Sequence, residues 1–81
     1  MGIQTHTPLR AALVEMLDKY FESLEGARPT RVHDMVISAV ERPLLEYILQ
    51  RCKGNQCAAA NILGINRNTL RARMKRYGML E

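Results

Sequence analysis

Eighty-one residues, 47% of them apolar but with one Phe, three Tyr and no Trp, describe one small domain with a core of Leu, Ile, Val, Met and Ala, a palette that favours helices. Two cysteines are too few for a disulfide framework, no apolar run is long enough for a signal peptide or a membrane span, and neither histidine has metal ligands spaced around it, which sets aside secreted scaffolds, membrane proteins and metal centres and points to a reducing, cytosolic setting. The net charge of +4 is unevenly split: residues 1–50 hold five Lys or Arg against seven acids, whereas Arg51 onward holds seven against the single acid Glu81, so the C-terminal part expects an anionic partner.

In chain order, residues 1–6 read as a flexible tail. Thr7 and Pro8 then supply an N-cap and a first helical position. A first helix is expected from there to about Glu25, with Leu9, Leu13, Met16, Leu17, Tyr20, Phe21 and Leu24 on one broad side and Glu15, Asp18, Lys19 and Glu22 opposite. Gly26 ends it, and Thr30 is a candidate cap for the next.

The second helix, roughly Arg31 to Arg51, is apolar almost all round: Val32, Met35, Val36, Ile37, Val40, Leu44, Leu45, Ile48 and Leu49 fall on every side of it. A chain this short buries only about 60–65% of its unfolded surface, so a second copy is expected to cover what the chain itself cannot. The expected dimer core is Leu13, Leu17, Val36, Val40, Leu44 and Ile48. Pro43 lies inside this helix, where it removes the hydrogen bond to the Ala39 carbonyl, and a kink is expected there rather than two abutting helices.

Lys53-Gly54 marks the end of that helix. Asn55 caps a short third helix, Gln56 to Leu63, and Gly64-Ile65-Asn66 forms a three-residue turn. Asn66 then caps a fourth helix, Arg67 to about Tyr77, that Gly78 ends. From Gly64 to Met79 there are five basic residues and no acid. Short helix, Gly-containing turn and basic helix make the helix-turn-helix pattern, whose second helix enters the DNA major groove. Ala59 and Ala60 are small where two helices must cross, and Ile65, Leu70 and Met74 are placed to pack them together. Leu70, Met74 and Tyr77 span a stripe about 60° wide, with Asn68, Arg71, Ala72, Lys75 and Arg76 on the opposite side. A hairpin whose charges served solubility alone would account for the basic residues but not for the two Asn caps, the turn Gly and the Ala pair. No carboxylate pair, Cys/His pair or Gly-rich phosphate loop suggests an enzyme, and no cofactor, metal or small-molecule ligand is expected. Residues 7–52 therefore read as two dimerisation helices and 53–81 as the DNA-binding unit.

The stretch ERPLLEYILQRCKGNQCAAANILGINRNTLRARMKRYGM resembles the Fis family and, more loosely, the C-terminal DNA-binding domains of NtrC-type activators. The Fis resemblance extends upstream through TPLRAALVEMLDKYFESLEG, so that it covers about Thr7 to Met79. It implies an all-α, four-helix homodimer that binds and bends double-stranded DNA at degenerate sites in the bacterial nucleoid and regulates transcription. By motif position it implies base contacts from Asn66 and Arg67, Arg67 being suited to a guanine edge. Phosphate contacts are implied for Asn55, Gln56, Cys57, Thr69, Arg71, Arg73 and Lys75.

The chain also departs from the family pattern. Cys57 stands where the family carries Thr, Ala58 and Ala72 where it carries basic residues, and Asn68 where it carries Gly, changes expected to weaken phosphate attraction. Only six or seven residues precede the first helix, so the longer N-terminal arms that serve DNA inversion are not expected. Two other functions fit parts of the pattern: a detached activator output domain, or a helical dimerisation or adaptor module that binds protein. Cys57, near a helix N-terminus and nearby cations, could also act as a redox sensor, against the plainer role of a small filler.

Overall fold

Left-handed backbone at Gly26, Lys53, Gly54, Gly64 and Gly78 punctuates the chain into four helices: α1 (His6–Ser23), α2 (Val32–Arg51), α3 (Gln56–Leu63) and α4 (Arg67–Arg76). The computed structural model describes residues 6–80, with side chains from Pro8 onward. No strand occurs among them, and the fold is all-α as the composition suggests. The chain divides into two units, one up to Val32 and one from His33 on.

The first unit is α1 and its exit. The helix already includes His6 and Thr7, so it starts slightly ahead of the expected Thr7 cap, and the rest of the expected tail lies outside the described residues. Lys19 pairs with Glu15 one turn back (3.4 Å), and Tyr20 and Phe21 meet edge to face at 5.6 Å. Leu13 and Leu17 are half-buried, while Leu9, Val14 and Phe21 face solvent. Ser23 ends the helix with its hydroxyl donating to the Tyr20 carbonyl (2.7 Å), and Glu25 and Gly26 both take positive φ (51° and 87°).

The second unit holds the core. Leu45, Ala59, Ala60, Leu70 and Met74 are buried together, with Ile48, Leu49, Cys52, Leu63, Tyr77, Met79 and Leu80 packed against them. Leu45, Ile48, Leu49 and Cys52 recur at i, i+3, i+4 and i+7, one stripe of α2. That stripe is spent on α3 and α4 of the same chain. Ile48 therefore belongs to the chain's own core, whereas Ile37, Val40, Leu44 and Tyr47 form a second, uncovered stripe on α2. Pro43 is accommodated within one uninterrupted helix, which rules out two abutting ones. The expected Thr30 cap is not the flanking residue: Arg31, with φ 55°, stands between it and Val32.

Ala59 and Leu70 have no solvent exposure. A methyl group on α3 lets the axis of α4 come close, and a branched Leu fills the space between. Gly64 makes the turn that brings this about, at φ 77° and ψ 28°. Its N–H bonds the Asn61 carbonyl (3.2 Å) and the next N–H, of Ile65, bonds that of Ala60 (3.1 Å), the paired bonds of a Schellman stop. A Cβ at Gly64 would meet nothing within 4 Å, so glycine is required there by dihedral angle and not by space. Ile65, expected to pack between the helices, is exposed instead, because the residue after the left-handed glycine leaves the helix face. Replacing Leu70 by Ala should cost about 2–5 kcal/mol through lost burial and a residual cavity, against less than about 0.5 kcal/mol for the surface change Ile62→Ala. Urea unfolding at one fixed protein concentration checks both, and similar small losses would contradict the packing.

Candidate nucleic-acid interface

The two asparagines hold α3 and α4 at their starts as expected. Asn55 has extended backbone and its Oδ1 accepts from the Ala58 N–H (3.1 Å). Asn66 does the same for Asn68 (2.7 Å). Each cap satisfies one of the N–H groups that a helix leaves orphaned at its start, and the others remain aimed outward with the positive end of the helix dipole. Such an end suits an anion. Asn66, expected to contact a base, has its carbonyl oxygen committed to the cap and its amide nitrogen left to donate.

Beyond Asn66, α4 carries its charge on one side because the other is committed to the core. Leu70 and Met74 are buried and Tyr77 packs beside them, so that Arg67, Asn68, Thr69, Arg71, Ala72, Lys75 and Arg76 all face solvent. No acidic residue lies on this helix. On α3, Cys57 is exposed and Gln56 half-buried.

Two of the expected phosphate contacts meet each other. Arg71 Nη1 donates to Gln56 Oε1 at 2.8 Å, fifteen residues away in sequence. This bond ties the first residue of α3 to the second turn of α4 and fixes one edge of the guanidinium, leaving its other donors for an anion. Arg73 behaves differently. Its Nε faces Glu41 Oε2 on α2 at 3.8 Å, while Glu41 Oε1 accepts from the Tyr77 hydroxyl at 2.6 Å. Glu41 was absent from the residues singled out in the sequence. The available signal was its position four residues before the buried Leu45, which puts a carboxylate on the packing stripe of α2.

The arrangement is a cationic, amide-rich surface on a helix seated by apolar residues, suited to hold phosphates and to present a few donors between them. Among the described residues no three His, Cys, Asp or Glu come together as a metal-holding group, and no helix is long and apolar enough to cross a membrane.

Comparison with known proteins agrees with this geometry. The family model described as bacterial regulatory protein, Fis family, matches residues 36–77, from the first turns of α2 to the end of α4. A protein of Ralstonia nicotianae named as Fis-like and DNA-binding is 43% identical over 76 residues, covering 94% of this chain and 99% of the relative. The DNA-binding protein Fis of Psychromonas ingrahamii is 47% identical over 78 residues, 96% of this chain and 79% of the relative. That of Glaesserella parasuis is 42% identical over 76 residues, 94% and 78% respectively. With the helix-turn-helix inside the matched segment and the relatives aligning over more than nine-tenths of the chain, the chain belongs to the Fis family of bacterial regulatory proteins.

Proposed function

We propose that the chain is a homodimeric DNA-binding regulator of the bacterial nucleoid, which reads degenerate sites with α4 and bends the duplex between its two reading heads. The observation that carries DNA binding is α4 itself. It is a helix whose large apolar residues, Leu70 and Met74, are seated in the core and whose exposed side holds Arg67, Arg71, Lys75 and Arg76 without an acid. The relatives named above carry DNA binding in their names, in accord with this. In this reading Asn66 and Arg67, at the start of α4, contact base edges. Asn55, Gln56, Cys57, Thr69, Arg71 and Lys75 fix the register on the phosphates. Arg73, the remaining member of the expected phosphate set, stands against Glu41. Catalysis has no part in the proposal, and the work is done by positioning charge.

Dimerisation is supported by the second stripe of α2. Ile37, Val40, Leu44 and Tyr47 recur at i, i+3, i+7 and i+10 and are exposed, Tyr47 by 60%. An apolar seam of this spacing is the kind that two helices bury against each other. If so, sedimentation over a wide dilution series should show a dimer until helicity itself is lost, and a folded, helical monomer at low concentration would sink the homodimer.

Binding to mixed-sequence duplex should weaken steeply with salt. About six to ten phosphate contacts per dimer imply a log–log slope of roughly −5 to −9. A slope near zero would favour the adaptor reading. Arg67→Ala should cost about 1–3 kcal/mol at preferred sites and flatten the preference for guanine, whereas Arg71→Ala should weaken every sequence alike. Titrations on one preferred and one scrambled duplex separate the two, and equal losses on both duplexes for both variants would contradict the division between reading and positioning.

A further inference from the structure

α4 carries five basic residues, and one of them is treated unlike the rest. Arg67, Arg71, Lys75 and Arg76 are exposed, but the Arg73 side chain is 37% exposed and meets a Glu41 side chain that is 22% exposed. Arg42 and Glu46, paired one turn apart on α2, are both well exposed, and that pair does not reach α4. Glu41 does reach it, and with both oxygens. One takes the Tyr77 hydroxyl, at the residue that closes α4, and the other takes Arg73 one turn earlier. Partial burial of the carboxylate makes this pairing stronger than the same pair in open solvent, since the field between charges rises as water is removed. The carboxylate oxygen that faces Arg73 carries the same sign of charge as a phosphate oxygen and competes with it for the guanidinium.

From this juxtaposition we infer that Glu41 is a positioning residue that withholds Arg73 from the DNA backbone. One of its oxygens faces the guanidinium Nε at 3.8 Å as a competing anion, while the other anchors the end of α4 through Tyr77. The recognition helix then presents four of its five cations to DNA, and Glu41 sets that number from another helix. The effect is on strength and salt dependence, not on base preference, because Arg73 lies beyond the base-reading start of α4. This inference rests on the DNA-binding reading above.

Glu41→Gln tests it, because the amide oxygen still accepts from Tyr77 while the competing charge is gone. Binding of the full chain to a mixed-sequence duplex would be measured across salt for the parent, Glu41→Gln, Arg73→Gln, the double variant, and Tyr77→Phe. Glu41→Gln is expected to bind about two- to five-fold tighter per recognition helix, the factor equivalent to releasing a partly exposed ion pair. Its log–log slope should steepen by about 0.9 per recognition helix. Arg73→Gln in the parent should leave the slope where it was, and in the Glu41→Gln background it should erase the gain. Loss of slope by about 0.9 per helix for Arg73→Gln in the parent would overturn the inference, since Arg73 would then already be on a phosphate. So would a gain from Tyr77→Phe equal to that from Glu41→Gln, which would assign the effect to the seating of α4 and not to charge. Should Glu41→Gln lose helicity, the Arg73→Gln slope in the parent decides alone. A parent slope near zero defeats the DNA-binding reading itself, whereas a parent of normal slope with an unchanged Glu41→Gln defeats only the role given to Glu41.

Discussion

The close crossing of α3 and α4 is the constraint on which the rest of the second unit depends. Two helices can lie about 8 Å apart only where the side chains between them are small, and Ala59 and Ala60 are small there, with Leu70 buried against them. Met74 repeats the contact one turn later, and Leu45 closes it from α2. With Leu70 and Met74 of α4's inner side seated in this way, the direction of its outer side is determined. The charged residues need no interactions of their own to be aimed. A larger residue at Ala59 would push α4 outward and move every one of them together.

The features that depend on neighbours in sequence were legible without coordinates. Asn55 and Asn66 were readable as caps and Gly64 and Gly78 as left-handed stops, because each depends on the chemistry of four or five consecutive residues. The Leu70, Met74 and Tyr77 stripe followed from helical period alone. Features that depend on residues distant in sequence were not legible. Nothing local to Glu41 foretells that a hydroxyl 36 residues later will bond it, nor that Arg73 will turn toward it. Ile48 shows the same limit on α2, since period identifies two apolar stripes but cannot say which meets the chain's own third and fourth helices. Thr30 failed as a cap for a different reason: Arg31 adopts a backbone conformation that L-residues with a Cβ rarely take, and propensity gives no warning of it.

The two apolar stripes of α2 give that helix a double allegiance. Leu45, Ile48, Leu49 and Cys52 bind it to the reading head of its own chain, while Ile37, Val40, Leu44 and Tyr47 remain for another surface. Pro43 lies at an exposed position of α2, within the helix and near the uncovered stripe.

The backbone closures at the ends of α3 and α4 have a further consequence. Gly64 and Ile65 close the carbonyls at the end of α3, and Gly78 and Met79 do so for α4, with main-chain N–H groups alone. Lysine and arginine side chains near a helix C-terminus are elsewhere recruited to bond these carbonyls, but here main-chain N–H groups bond those of Met74 and Lys75. Lys75 and Arg76 stand exposed at the end of α4, where their charge also favours the negative end of the helix dipole. Substituting either one leaves these main-chain closures in place, so the stop of α4 does not depend on which side chains stand there.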